Sequence, residues 1–116
     1  MSRRTEVLLW GAQRVSAMVL ALCVAVHLLT MIYAVRSGLS AAEILGRTQG
    51  SSGWFLFYTV FVLAVAIHAP IGLRTIIGET INARGRGIEV FVAFTGIALA
   101  AWGMRAVIGV FGGGAA

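Results

Sequence analysis

Apolar positions in this chain fall in long unbroken blocks, not in the rhythms of half-buried strands or surface helices. Residues 15–35 carry no formal charge, and neither do residues 53–73. A third block covers residues 90–104, meets Arg105, and continues to Phe111. At about 1.5 Å rise per residue, about 20 apolar residues cross a bilayer core. The pattern predicts three transmembrane helices, near residues 11–35, 53–78 and 88–111. Arg105 lies close enough to the end of the third to snorkel to the interface. The fold class expected is all-α and integral to the membrane, with residues 1–116 as one domain.

Polar segments punctuate these blocks. Ser40-Ala41-Ala42-Glu43 has the form of a capping box, which predicts a short interfacial helix near residues 41–47. Gly50-Ser51-Ser52-Gly53 breaks the chain before the second span, and Arg84-Gly85-Arg86-Gly87 forms the turn before the third. The tail from Gly112 to Ala116 is expected to be floppy. A cleaved leader is not expected at the start. The first apolar block is longer than a signal's 7–15 residues, and further spans follow it.

Composition agrees with this reading. Some 59% of residues are hydrophobic, and nine Arg and four Glu are the only formal charges. So few charges cannot cover a soluble exterior. Disorder is excluded as well, because it needs low hydrophobicity and high charge. The net charge of +5 is spread singly through apolar sequence rather than gathered in a patch, so nucleic acid is not an expected partner. Arg3, Arg4, Arg14, Arg74, Arg84 and Arg86 fall on one side of a three-span topology; Arg36, Arg47 and Arg105 fall on the other. The positive-inside rule places the N-terminus in the cytoplasm. Trp10, Trp54 and Trp102 lie near span ends, where aromatic belts form. Cys23 is the sole cysteine and has no internal disulfide partner.

Two histidines fall deep in the apolar blocks: His27 in the first and His68 in the second. No Asp, Glu or Lys accompanies them, so a proton relay has no partners. One use is hydrogen-bonded packing between helices. The other is axial ligation of haem iron by neutral imidazole. His27 lies 13 residues past Arg14, and His68 lies six before Arg74. From these spacings the two rings differ in depth by about 10 Å. They should therefore not share one iron. If both are ligands, each needs a second His from another chain. Gly72 and Ala64, one turn either side of His68, are small enough to admit a flat macrocycle or a neighbouring helix. Ala17, Ala21 and Ala25 read as a helix-contact ridge. Pro70 removes a backbone hydrogen bond to Ala66, which either re-aims His68 or fits the bundle.

Gln13-Arg14-Val15-Ser16-Ala17, followed by an apolar run to His27, resembles the first helix of the membrane anchor of succinate dehydrogenases and fumarate reductases. That family typically shows His-Arg-x-Ser-Gly there. His68-Ala69-Pro70-Ile71-Gly72-Leu73-Arg74 resembles its second-helix pattern, His-x-x-x-Gly-[Ile/Leu]-Arg. The resemblance covers residues 10–80, and the third span only in length and hydrophobicity. Gln13 stands where the family usually has His, and Ala17 where it usually has Gly.

The resemblance implies a cytochrome b-type anchor in a bacterial inner membrane. It implies one or two haem b groups shared with another chain, and quinone as bound substrate. His68 and His27 would be axial ligands. Arg14 and Ser16 would lie near quinone and haem propionates, and Arg74 near the propionates. The implied partners are a flavoprotein subunit, an iron–sulfur subunit, a second membrane anchor or second copy of this chain, and membrane lipid. Catalysis would not belong to this chain alone. Two other readings stand beside it: a cofactor-free structural or assembly subunit, and the anchor of another diheme cytochrome b complex. A transporter half lacks the expected broken-helix pair.

Overall fold

The computed structural model describes residues 2–112; residues 113–116 of the glycine-rich tail lie outside the described residues. The chain forms α1 (Arg3–Arg36), α2 (Ala41–Thr48), α3 (Ser52–Thr80) and α4 (Arg86–Phe111). α1, α3 and α4 are each long and apolar enough to cross a membrane. Among the described residues there are no strands.

α1 starts well before the apolar block. The Ser2 side chain caps it by accepting from the Thr5 amide at 3.2 Å, and Glu6 in the first turn suits the helix dipole. The apolar block marks where lipid begins, whereas the cap marks where the helix begins. At 34 residues α1 is about 50 Å long, so it extends beyond a core of about 30 Å.

α2 carries the full capping box. Ser40 Oγ accepts from the Glu43 amide at 3.2 Å, and Glu43 Oε1 accepts from the Ser40 amide at 3.2 Å. Its apolar residues Ile44 and Leu45 remain about two-fifths exposed. Between α3 and α4 the backbone turns at Gly85, whose φ of +122° favours glycine.

α3 is the middle helix, packed by α1 on one side and α4 on the other. It runs through Pro70 without a break. Pro70 cannot donate to the Ala66 carbonyl, and α4 covers that place. A Cβ at Gly96 would stand 3.0 Å from Pro70 Cγ and 3.2 Å from the Ala66 oxygen. One turn-pair further along, a Cβ at Gly103 would meet Val62 Cγ1 at 2.5 Å. Glycine at these two places lets α4 lie close against the Pro70 ring and the Val62 side chain. Of the two roles open to Pro70, the structure places it against α4.

The face of α1 toward α3 corrects one expectation. Residues 13, 16, 20, 23, 27 and 30 are buried or half-buried in the alternating three-four spacing of a helix seam. Ala21 and Ala25, expected on a contact ridge with Ala17, are exposed instead. A strict four-residue ridge drifts away from a seam that follows Ser16 and Cys23. No large side chain is fully buried among the described residues, and Met18, Leu22, Ile97 and Trp102 point outward. Lipid and neighbouring chains are the environment those faces suit.

Candidate functional site

The antiparallel seam between α1 and α3 sets the site. Gln13 lies against Gly72, Ser16 against His68, and His27 against Tyr58. These three pairs share one register. Along α3, Tyr58 and His68 are ten residues apart, so the two histidines differ in height by about 15 Å. That is more than the spacing within each span indicated. The conclusion drawn from it holds more firmly: one iron cannot reach both.

His68 projects from the middle helix into the seam. Its Nδ1 lies 3.4 Å from Ser16 Oγ. Ser16 is 5% exposed and also donates to the Gln13 carbonyl oxygen at 3.1 Å. Serine in mid-helix commonly bonds back to its own preceding turn. The Gln13 amide nitrogen stands 3.2 Å from where a Cβ on Gly72 would be, so a side chain at 72 would displace it. In the structure the Gln13 side chain, from α1, occupies the space beside Gly72. Gln13 Oε1 is buried with no hydrogen-bond partner among the described residues. A buried acceptor left this way costs about 1–3 kcal/mol.

His27 has different surroundings. The Tyr58 hydroxyl lies 3.4 Å from its Nδ1. The Tyr58 and Phe61 rings meet the imidazole edge to face at 5.9 and 5.8 Å. A cavity of about 280 Å³ opens beside it, lined by Thr30, Ile44, Thr48, Trp54 and Tyr58 among others. α2 roofs that cavity through Ile44 and Thr48.

The two arginines singled out in the sequence do not join His68. Arg14 is exposed, with its guanidinium 5.2 Å from the Trp10 ring centre on its own helix. Arg74 Nε donates to Glu89 Oε1 at 2.7 Å, tying α3 to α4. This ion pair borders a mixed-charge cavity of about 460 Å³ that also takes in Glu6, Glu79 and Arg84. So of Arg14, Ser16, His27, His68 and Arg74, the structure brings Ser16 and His68 together. Gln13, Tyr58 and Glu89 are the contacting residues that sequence reasoning left without these roles. Gln13 and Tyr58 follow from the α1–α3 register once one pair is known. Glu89 lies 15 residues beyond Arg74 across a turn, and no local periodicity marks it.

The family model described as Succinate dehydrogenase/Fumarate reductase transmembrane subunit matches residues 1–103. No curated protein and no solved structure matches the chain.

Proposed function

We propose a function from one premise: the chain belongs to the succinate dehydrogenase/fumarate reductase transmembrane subunits. It is a membrane subunit of such a complex. In our reading it is the anchor that passes electrons between partner iron–sulfur clusters and membrane quinone, in a bacterial inner membrane with the N-terminus cytoplasmic. A flavoprotein carries the dicarboxylate chemistry.

The observation that carries the haem reading is the environment of His68. Its Nδ1 is held within the protein by Ser16, and among the described residues Nε2 makes no hydrogen bond. That donor set suits an axial ligand, whose other ring nitrogen is usually hydrogen-bonded. His68 would hold haem b, and a His from a second anchor or second copy would complete the coordination. His27 could do the same for a second haem, at its own height. Haem, when bound, supplies one-electron storage. The chain's residues orient the imidazole, exclude water with the lipid-facing helices, and keep the site apolar.

Quinone is the proposed substrate. Gln13 Oε1, a buried acceptor in want of a donor, fits a quinol hydroxyl. Arg14, one residue along and exposed, would bond a carbonyl or propionate if a neighbouring chain turns it inward.

Purification of the complex through a tag on this chain tests the reading. A flavoprotein and an iron–sulfur protein should co-purify, with a b-type band on reduction and quinone reductase activity. Co-purification without either band or activity would support the cofactor-free reading instead.

A further inference from the structure

We infer that Ser16 is a positioning residue that fixes the tautomer of His68 and leaves Nε2 as the bare nitrogen. The inference rests on the haem reading of His68 given above. A serine hydroxyl has one hydrogen. Ser16 directs it to the Gln13 backbone carbonyl, which can only accept, at 3.1 Å. Toward His68, Ser16 Oγ therefore offers lone pairs. Two lone pairs cannot make a hydrogen bond, so with the hydroxyl hydrogen on Gln13 the contact at 3.4 Å is satisfied by Nδ1 carrying the proton and donating. A neutral imidazole has a single N–H. Its proton is then spent on Nδ1, and Nε2 keeps the lone pair that binds iron.

Burial makes this direction costly to reverse. Ser16 is 5% exposed, so water cannot easily replace either partner. Turning the hydroxyl toward Nδ1 would take from the Gln13 carbonyl the second bond that it accepts beside that of the helix ladder, in a low-dielectric setting where hydrogen bonds count for more. The chain of donation is thus His68 Nδ1–H to Ser16 Oγ, and Ser16 O–H to Gln13 C=O.

His27 has no such device. Tyr58 OH lies 3.4 Å from His27 Nδ1, and among the described residues no third acceptor takes the phenolic hydrogen. Either ring nitrogen can then carry the proton. The chain presets one of its two histidines as a ligand and leaves the other open.

The tautomer is measurable without haem. In the full chain, produced in a haem-deficient host and placed in nanodiscs, ¹⁵N NMR of labelled histidine distinguishes the two forms. His68 should be in the Nδ1–H form in wild type and in Ser16→Thr, and mixed in Ser16→Ala. A His68 in the Nε2–H form in wild type, or one unmoved by Ser16→Ala, overturns the inference. In the assembled complex, Ser16→Ala should weaken haem retention by about 10- to 100-fold, as other lost ligand-orienting bonds do. It should also shift the haem potential, and Ser16→Thr should restore both. Unchanged retention and potential in Ser16→Ala would likewise overturn it. A wild-type complex with no b-type band overturns the haem reading, and the NMR arm separates that failure from this one.

Discussion

Gly103 on α4 lies so close to Val62 on α3 that a single added methyl would overlap Val62 Cγ1, at 2.5 Å. The contact sits in the helix pair that anchors α3, and α3 carries His68. Gly103→Ala should therefore destabilise the bundle by about 1–3 kcal/mol, the usual cost of overpacking. Val62→Ala should relieve much of that loss. Unfolding of the four combinations in detergent gives the coupling energy directly, and purely additive effects would show that the two residues are not in contact.

Arg74 and Glu89 make the ion pair between α3 and α4, with about a quarter and two-fifths of their side chains exposed. Partial exposure discounts such a pair to about 0–1 kcal/mol. Glu89→Gln should thus lower thermal stability only slightly, and the difference should shrink at high salt. A large, salt-independent loss would mean that the pair is sequestered in the assembled complex.

Tyr58→Phe removes the hydroxyl beside His27 and keeps the ring that meets it edge to face. The expected cost is about 0.5–1.5 kcal/mol, that of one hydrogen bond. Chemical shifts of the His27 ring should move, while those of His68 should stay. A response at His68 would contradict the separation of about 15 Å between the two rings.

The Glu43 carboxylate is held below the ordinary carboxylate range, first by the Ser40 backbone amide and then by the Ser40 hydroxyl. A lowered folded-state pKa contributes stability that is present above the unfolded value of about 4.3 and lost as pH falls through the folded one. Helicity of residues 41–48 should accordingly be constant from neutral pH down to the upper carboxylate range. It should fray below that range. Hydrogen exchange on α2 follows this, and Glu43→Gln should remove the pH step.

The spans and α2 were legible because each obeys a local rule: lipid demands unbroken apolar residues, and Ser40 with Glu43 satisfies its own helix start. The two histidines were legible because a polar ring in an apolar block is costly without a use. What sequence could not supply was the register between α1 and α3, which depends on how residues 37–51 return the chain. That register pairs Ser16 with His68 and Tyr58 with His27, and it widens their separation in depth beyond the value counted from flanking arginines. The alanine ridge misled for a related reason. Small residues mark where helices can approach, but Cys23 and Ser16 mark where α3 actually lies. Arg74 shows the limit of a motif: its place at the end of the second span was evident, its partner on α4 was not.

The central claim is that His68 is a haem ligand on this chain and that His27 cannot share its iron. Reduced-minus-oxidised spectra of the purified complex, with haem counted per chain, test it most directly. His68→Ala should abolish one b-type haem while the complex stays assembled, and His27→Ala should leave that haem in place. Full haem content in assembled His68→Ala, or loss of one and the same haem in both variants, would contradict the account.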